Sequence, residues 1–179
     1  MTDAASAFFQ QHSPRWTGSR RWGRVLDLAC GRGRHGLAAA KAGLDVLAVD
    51  RNPEALEELR MRAGQEWGPR IETRCLDLET AALPDLGDEV FGAVLVFRYL
   101  HRPLSDWIAD RIAPGGLLLY ETFTIRQRDL GWGPSRADFL LEPGELPRLF
   151  PTLETLVYEE GPSADPKPAE TARLLARRR

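Results

Sequence analysis

Short apolar runs alternate with segments of helical character along most of this chain, and this alternation restricts its fold more than any other feature. The runs that predict strands are GRVLDLA, LDVLAVD, RIETRCLDLE, EVFGAVLVFRYL, LLLYETFT and LETLVYEE. The segments that predict helices are HGLAAAKAG, NPEALEELRMRAGQEWG, PLSDWIADRIAPGG and PGELPRLF, of which the third ends in a predicted Pro-Gly-Gly turn. Because parallel strands need crossover connections, the order predicts an α/β fold with a mostly parallel sheet and helices on both faces. The last run, ETARLLAR, fits a strand or a helix.

The stretch DLACGRGRHG, residues 27 to 36, follows the first predicted strand. Gly31, Gly33 and Gly36 satisfy the G-x-G-x-x-G pattern, which is typical of a tight strand-to-helix turn against a nucleotide. A dinucleotide, S-adenosylmethionine and a turn without a ligand all fit this pattern. In such a sheet the ligand binds beyond the carboxyl ends of the strands, so the residues at those ends decide between the three.

The chain has 179 residues, which predicts a single domain over residues 1–179. No apolar run approaches the roughly 20 residues that span a bilayer, and the N-terminal sequence lacks the pattern of a signal peptide. We therefore expect a cytoplasmic protein without a membrane partner. Cys30 and Cys75 fit neither a disulfide framework nor a zinc site, and no metal is predicted.

The formal net charge of −2 does not provide the field of a general nucleic-acid binder, and a nucleic-acid partner is not expected. Arginines and tryptophans do alternate in HSPRWTGSRRWGR, a pattern that could bind a phosphate backbone and stack on bases. We favour the interpretation in which these tryptophans pack on the domain. Residues 1–23 then lead into the domain, and a lid over the ligand site is a second role for them.

Acidic residues lie at three strand ends; one of them fits either cofactor, and the other two favour S-adenosylmethionine over a dinucleotide, as does the lack of room for the second substrate domain that many nicotinamide dehydrogenases carry. Asp50 ends the second strand 19 positions after Gly31, where a carboxylate can bind ribose hydroxyls. Asp27 lies beside the loop, where it suits the ammonium of a methionine moiety and would repel a pyrophosphate. Asp77 in CLDLE is placed to accept a hydrogen bond from the amine of an adenine, while Leu78 or its neighbour Leu76 covers the ring.

The stretches VLDLACGRGRHG, VLAVDRNPEAL, CLDLE, FGAVLVFRYLHRPL and IAPGGLLLYETF resemble the successive motifs of class I S-adenosylmethionine-dependent methyltransferases. The tail, PGELPRLFPTLETLVYEEG and TARLLAR, is further similar to the tellurite-resistance (TehB-like) branch of small bacterial methyltransferases. The resemblance implies a Rossmann-like methyltransferase fold. Its single sheet would have seven strands and an antiparallel last strand, so that TARLLAR would be a strand.

The resemblance also implies roles for residues at matching positions. It places Phe97 under the sulfonium and Asp50 at the ribose. Asp27, Ala29, Gly31 and Gly33 would line the methionine end of the cofactor. Arg51 and Asn52 would flank the adenine, and Asp77 and Leu78 would complete its site.

Methyl transfer from a sulfonium is an in-line displacement, so the protein mainly aligns the reactants and excludes water. If the acceptor must lose a proton, His101 in FRYLHRPL is the candidate base, and Tyr99 and His12 are the second choices. If the acceptor is a soft anion, Arg98, Arg102 or Arg126 is the candidate that holds it.

The segment 125–142 is long for a connection within a domain, which predicts a lid over the acceptor site. Its arginines and Trp132 favour a small-molecule acceptor that is anionic or aromatic. The stretches FRYLHRPL and GPSADPKPAE depart from the tellurite enzymes, in which a histidine-arginine pair is expected between the last two strands. These departures weaken the case for tellurite, and the sequence leaves open an oxygen, nitrogen, sulfur or chalcogen-oxyanion acceptor. It also leaves a monomer and a homodimer open.

Other functions remain as alternatives. A dinucleotide-binding oxidoreductase would need a proton donor such as a Tyr-x-x-x-Lys pair, and Lys41 and Lys167 form no such pair. An RNA-associated methyltransferase, or a noncatalytic module that binds S-adenosylmethionine, would use the arginine-tryptophan segment as its working surface. Salt-dependent RNA binding would identify that case.

Overall fold

A computed structural model describes residues 4–164 and 167–179; residues 1–3 of the predicted N-terminal segment and residues 165–166 of GPSADPKPAE lie outside the described residues. The strands are β1 (Val25–Leu28), β2 (Val46–Asp50), β3 (Ile71–Cys75), β4 (Phe91–Phe97), β5 (Ile112–Phe123), β6 (Glu154–Ser163) and β7 (Ala169–Arg177). The α-helices are α1 (Ala7–Gln11), α2 (Ser13–Thr17), α3 (Arg34–Lys41), α4 (Pro53–Trp67), α5 (Ser105–Asp110) and α6 (Glu145–Arg148).

The seven strands form one sheet in the order β3-β2-β1-β4-β5-β7-β6. The first five of these positions are parallel neighbours, and β7 runs antiparallel between β5 and β6. The predicted Rossmann-like α/β fold, with a mostly parallel sheet and an antiparallel last strand, is confirmed. The strand order reverses between β1 and β4, so the carboxyl ends of these two strands open the crevice in which ligands of such sheets bind.

The helices α3 and α4 begin where the sequence predicts. Gly33, at φ 67°, precedes α3 in the left-handed region that favours glycine. The side chain of Asn52 accepts hydrogen bonds from the backbone N–H groups of Glu54 and Ala55, at 3.0 and 3.3 Å, and Pro53 occupies the first turn of α4. These caps fix where α3 and α4 begin relative to the ends of β1 and β2.

The strand β5 begins earlier than predicted. The sequence places a Pro-Gly-Gly turn before LLLYETFT, whereas β5 already starts at Ile112, which pairs with Phe91 of β4. The ladder then shifts register, and Gly115, at φ 82°, donates its N–H to the carbonyl oxygen of Arg178 at 2.8 Å. The Pro-Gly-Gly stretch is therefore an irregularity within the strand, since long-range pairing satisfies its backbone groups.

The stretch ETARLLAR is a strand in β7. Leu174 packs into the core on one face of the sheet and Leu175 into the core on the other. A strand that is buried on both faces has no polar alternation, which is why the pattern alone also fitted a helix.

Each face of the sheet carries its own apolar core. One core contains Trp107 and Ile108 of α5 and Leu146 of α6, and the other contains Phe9 of α1, Leu37 of α3 and Leu59 of α4. Helices thus cover both faces, as predicted. Within residues 4–164 and 167–179, none of the helices has the length and apolar character needed to cross a bilayer.

The N-terminal helices pack on the second core. Trp16 is 4% exposed, stacks on Phe9 with 4.4 Å between ring centroids, and donates its Nε1–H to the carbonyl oxygen of Phe9 at 2.7 Å. Trp22 lies against Gly115, where an added Cβ would come within 2.7 Å of its ring. The first of these tryptophans is therefore part of the core and is not available for stacking on a base.

Candidate functional site

The carboxyl ends of β1, β4 and β5 open into a cleft of about 1100 Å³, which we call the main cleft. Its lining combines the end of β1 and the glycine loop, the start of α3, the middle of α4, the ends of β4 and β5, one residue of segment 125–142 and one residue between β6 and β7. These residues are Asp27, Ala29, Cys30, Gly31, Arg32, Arg34, His35, Glu58, Arg62, Phe97, Arg98, Phe123, Trp132 and Lys167. The volume exceeds the range of about 300–1,000 Å³ that is usual for small-ligand pockets, so the cleft has room for more than one reactant.

A smaller cavity of about 150 Å³ lies at the ends of β2 and β3, and we call it the side cavity. Its lining residues are Ala29, Asp50, Arg51, Leu76, Asp77, Leu78, Glu79 and Tyr99. Ala29 lines both spaces, so they meet at the end of β1. An elongated ligand can therefore lie across the glycine loop with one end in each space.

Backbone strain is concentrated at these strand ends. Among the described residues, Ala29 (φ 50°) and Arg98 (φ 60°) are the non-glycine residues with a left-handed backbone. Such a conformation costs on the order of 1–3 kcal/mol and persists where the surrounding structure imposes it, most often at functional sites. One strained residue follows β1 and the other follows β4, on the two sides of the crevice.

Asp27 is 1% exposed at the end of β1. Its Oδ2 atom accepts a hydrogen bond from the backbone N–H of Gly36 in the first turn of α3, at 2.8 Å. Burial raises the pKa of Asp27 to about 7, the Gly36 hydrogen bond opposes the shift, and the nearby Asp50 adds to it. A buried carboxyl with this pKa suits a cationic ligand group, which would stabilise its ionised form.

Asp50 holds the glycine loop in place. Its Oδ2 atom accepts a hydrogen bond from the backbone N–H of Gly31 at 2.7 Å, and its Oδ1 atom accepts one from the backbone N–H of Asn52 at 2.9 Å. Because each carboxylate oxygen can accept more than one hydrogen bond, Asp50 can also receive hydroxyl groups from a ligand in the side cavity.

Asp77 and Leu78 close the side cavity. Asp77 makes a local turn by accepting the backbone N–H of Glu79 at 2.9 Å, and Leu78 is 5% exposed. Tyr99 lies with them, and its buried hydroxyl has no hydrogen-bond partner among the described residues. Burial raises the pKa of Tyr99, and the charges of Glu79 and Asp77 raise it further. Tyr99 is therefore a neutral hydrogen-bonding group there.

Phe97 ends β4 and stacks on His35, with 3.7 Å between the ring centroids. His35 is 4% exposed, and its Nε2 atom accepts a hydrogen bond from the backbone N–H of Ser6 at 3.1 Å. Burial lowers the pKa of His35 well below its usual value, and Arg34 and Arg98 lower it further. The N-terminal segment is thus attached to the wall of the main cleft through a neutral histidine.

Arg98 follows Phe97 in the chain and also lines the main cleft. Its guanidinium carbon is 4.6 Å from the ring centroid of Phe123, and its Nη2 atom is 3.9 Å from Oε1 of Glu121. Glu121 is 1% exposed, and burial raises its pKa while Arg98 opposes the shift. Glu121 therefore helps to hold the guanidinium at the edge of the cleft.

Three of the predicted site residues lie outside both spaces. Gly33 packs against Leu59, since a Cβ added to Gly33 would come within 2.5 Å of that side chain. Asn52 caps α4, as described above. His101 precedes the 3₁₀ turn Arg102–Leu104 and lines neither the main cleft nor the side cavity.

The two other arginines considered as anion holders have different positions. Arg102 forms an ion pair with Glu145, with 2.5 Å between Nε and Oε1, and donates to the carbonyl oxygens of Asp138 and Leu140 at 2.9 and 2.8 Å. It therefore fastens the end of segment 125–142. Arg126 lines a separate cavity of about 200 Å³ beside β6 and β7.

Segment 125–142 is fixed to β7 by Gln127, which is fully buried. The Nε2 atom of Gln127 donates to the carbonyl oxygen of Trp132 at 2.8 Å, and its Oε1 atom accepts the backbone N–H of Glu170 at 2.9 Å. Trp132 donates its Nε1–H to the carbonyl oxygen of Pro168 at 3.0 Å. The segment thereby presents Trp132 to the main cleft.

Sequence reasoning missed several lining residues. Arg32, Arg34 and His35 belong to the quoted glycine stretch, and their adjacency to Gly31 and Gly33 was a signal that they would face the same ligand. Glu58, Arg62 and Lys167 had no such signal, since the packing of α4 and of the β6–β7 hairpin brings them there. Among residues 4–164 and 167–179, no group of three or more histidine, cysteine or acidic side chains could hold a metal ion.

Residues 25–116 match the family described as "Methyltransferase domain". Among curated proteins, the chain is 33% identical over 142 residues to hemagglutinin 1 of Eikenella corrodens, which covers 76% of this chain and 46% of that protein. It is 28% identical over 127 residues to the ubiquinone biosynthesis O-methyltransferase of Bordetella avium, covering 69% of this chain and 52% of that one. The chain thus spans about half the length of these relatives.

Among solved structures, TehB from Haemophilus influenzae superposes with a TM-score of 0.73 and 20% sequence identity. The match covers 96% of this chain and 61% of that one, and it shows a shared fold. The chain belongs to the methyltransferase domain family and has the Rossmann-like fold of class I S-adenosylmethionine-dependent methyltransferases.

Proposed function

We propose that this chain, as a single domain over residues 1–179, transfers a methyl group from S-adenosylmethionine to a small-molecule acceptor in the main cleft. The observation that carries this proposal is the junction of the main cleft and the side cavity at Ala29, with the motif carboxylates distributed between them. Asp27 lies in the main cleft, and Asp50 and Asp77 lie in the side cavity. This is the order in which a methionine end, a ribose and an adenine follow one another along the cofactor.

The lining of both spaces suits the chemistry of the cofactor. Asp27 would hold the methionine ammonium, and this cation would replace the solvation that the buried carboxyl has lost. Asp50 would accept the ribose hydroxyls. Asp77 would accept the adenine amine, and Leu78 would cover the ring.

Gly31 provides the space that the cofactor needs at the loop. A Cβ built on Gly31 meets nothing within 4 Å, so the backbone at this position faces the open cleft. Close approach of a ligand to a glycine backbone is the usual reason for glycine in such a loop.

When bound, S-adenosylmethionine supplies a methyl group activated by a sulfonium. The side chains of Phe97 and His35 form an apolar, stacked wall beside the place proposed for the sulfur, and such a wall excludes water. Trp132 and Phe123 also line the main cleft and would restrict how an acceptor is oriented. Alignment and exclusion of water are the main contributions that this chain makes.

The positions of the candidate bases favour an acceptor that does not need one of them. Tyr99 lies in the side cavity with the proposed adenosine, and His101 lies outside both spaces. Arg98 lines the main cleft, where it can hold an anionic acceptor. We therefore propose an anionic small-molecule acceptor whose lone pair is available at neutral pH.

Isothermal titration of the protein with S-adenosylmethionine, S-adenosylhomocysteine and, separately, NADH tests the cofactor. Asp77→Ala should weaken binding of S-adenosylhomocysteine about tenfold, as expected for the loss of one hydrogen bond to a charged group. Asp85→Ala is a matched control, because Asp85 makes the same kind of local turn, to the N–H of Gly87 at 2.9 Å, without lining the side cavity. Tighter binding of NADH, or no binding of either adenosyl compound, would overturn the proposal.

A further inference from the structure

Part of the lining of the main cleft alternates cationic and aromatic side chains. Arg98 lies over Phe123, with 4.6 Å from guanidinium carbon to ring centroid. Phe123 meets Trp132 edge to face, with centroids 5.7 Å apart and an interplanar angle of 88°. Lys167 Nζ lies 3.6 Å from the centroid of the Trp132 ring. We call these four residues the acceptor wall, and all four line the main cleft.

We propose that the acceptor wall is a subsite for an aromatic acid, that is, a planar aromatic ring that carries a carboxylate. This inference rests on the proposed function and names the class of acceptor for the same cleft. It concerns recognition: the ring lies against Phe123 and Trp132, and the carboxylate pairs with Arg98 or Lys167. Aromatic faces bind planar rings with a preferred geometry, and guanidinium and ammonium groups bind carboxylates through charge-assisted hydrogen bonds.

The acceptor wall is assembled in advance of any ligand. Phe123 is 8% exposed at the end of β5 and packs with Leu140. Trp132 is held through both its indole N–H and its backbone carbonyl, as described above. Three separate parts of the chain therefore fix the aromatic surfaces, which reduces the entropy lost when a flat ligand binds.

The distribution of charge in the main cleft favours an anion at this wall. The acidic lining residues are Asp27 and Glu58. Glu58 is paired with Arg32, with 3.0 Å between Oε2 and Nε, and Asp27 lies at the proposed methionine end. The acceptor wall itself carries two cations, and its neighbour Glu121 is set back behind Arg98 at 1% exposure.

The acceptor wall favours a ligand that has both an aromatic ring and a negative charge, because each cation of the wall lies over an aromatic face. When a carboxylate pairs with Lys167, the rest of the ligand lies beside Trp132. When it pairs with Arg98, the rest of the ligand lies beside Phe123. A small inorganic anion would reach the cations without contacting the aromatic rings, and a neutral ring would not use the charge of either cation. The arrangement therefore selects ligands that have both features.

The test uses 2-naphthoate as the probe, titrated into the protein in the presence and in the absence of saturating S-adenosylhomocysteine. Three control compounds are titrated in parallel. Acetate lacks the aromatic ring, 2-naphthalenemethanol lacks the negative charge, and 2-naphthylmethylamine carries a positive charge in its place. We expect 2-naphthoate to bind at least tenfold more tightly than each of the three. Comparable binding of 2-naphthoate and 2-naphthalenemethanol would overturn the inference.

Two variants locate the binding. Lys167→Gln should weaken 2-naphthoate about fivefold and leave 2-naphthalenemethanol unchanged, and Trp132→Leu should weaken both. The matched control is Lys41→Gln, because Lys41 Nζ lies 4.4 Å from the centroid of the Trp67 ring in a similar pair outside the main cleft. An equal effect of the Lys41 and Lys167 variants on 2-naphthoate would also overturn the inference.

The design separates this inference from the proposed function. If S-adenosylhomocysteine binds and 2-naphthoate does not, the acceptor class is wrong and the cofactor assignment stands. If 2-naphthoate binds as expected and S-adenosylhomocysteine does not, the subsite is supported and the proposed cofactor is wrong. Failure of both titrations overturns both.

Discussion

The carboxylate of Asp27 accepts the backbone N–H of Gly36 at 2.8 Å, and this single hydrogen bond joins the end of β1 to the first turn of α3. The approach is close enough that a Cβ on Gly36 would lie 2.8 Å from the same carboxylate oxygen. Gly36, the third glycine of the loop pattern, therefore leaves room for Asp27. The glycine pattern and the acidic residue before it form one structural unit.

The raised pKa of Asp27 predicts that the wild-type carboxyl destabilises the free protein at alkaline pH. The folded-state pKa of about 7 lies above the ordinary value of 3.8, so the folded state binds this proton more tightly than the unfolded state. Stability from this group is therefore greatest at low pH and is lost as pH rises towards 7. We expect Asp27→Asn to raise the free energy of unfolding at pH 8 by roughly 1–2 kcal/mol, and by less at pH 5.

Urea denaturation at both pH values checks this prediction, with Asp85→Asn as a control at an exposed turn. Equal stabilisation of the Asp27→Asn variant at pH 5 and pH 8 would show that the carboxyl is ionised throughout.

The protonation of Asp27 should also make the affinity for the cofactor depend on pH. The ionised form of Asp27 is the one that holds an ammonium, so below pH 7 the ligand must displace a proton. On the proposed function, the affinity for S-adenosylhomocysteine should fall up to tenfold for each pH unit between about 7 and 5. Titrations across this range, compared with Asp27→Asn, measure it. A pH-independent affinity in the wild type would exclude Asp27 from ammonium binding.

The first half of the fold could be predicted closely because its signals are local. Asn52 and Pro53 mark the start of α4 within two residues, and Asp50 ends β2 where the apolar run ends. The carboxyl ends of parallel neighbours meet at one edge of the sheet, so the sequence also indicated which strand-end residues lie near each other. Asp27 accordingly lines the main cleft, and Asp50 and Asp77 line the side cavity, with Ala29 shared by the two spaces.

The acceptor side could not be predicted in the same way. Lys167 reaches Trp132 because the β6–β7 hairpin and segment 125–142 pack together, and no spacing in the sequence encodes this contact. His101 follows Arg98 in the chain, but the left-handed backbone at Arg98 redirects the chain and the following 3₁₀ turn ends away from the cleft. Proximity to a strand end was therefore insufficient to place a side chain in the site.

Gln127 should control the attachment of segment 125–142. Replacing its buried amide by methionine keeps the side-chain length and removes the hydrogen bonds to Trp132 and Glu170. Since two partly buried backbone groups would lose their partners and the buried amide would be removed, Gln127→Met should reduce the free energy of unfolding by roughly 1–3 kcal/mol. It should also speed proteolysis within the segment. Gln10→Met removes an exposed amide that donates to Ala5 and should have little effect on either measurement.

The glycine loop contains two left-handed glycines with different surroundings. Gly31, at φ 53°, has open space where a Cβ would lie, and Gly33, at φ 67°, has the buried side chain of Leu59 there at 2.5 Å. An alanine at either position carries the left-handed strain of about 1–2 kcal/mol. At Gly33 it also overpacks the interface of α3 and α4, which adds about 1–3 kcal/mol.

Gly33→Ala should therefore mainly reduce the stability of the fold, and Gly31→Ala should mainly reduce the affinity for the cofactor. We expect Gly33→Ala to lose more free energy of unfolding, because Leu59 must move, whereas Gly31→Ala should lose only the strain energy. The order should reverse for binding of S-adenosylhomocysteine, because the new methyl group of Gly31→Ala points into the main cleft. Thermal denaturation and isothermal titration of the two variants give both quantities. If Gly31→Ala binds S-adenosylhomocysteine as tightly as the wild type, the ligand does not pass over the loop at this residue.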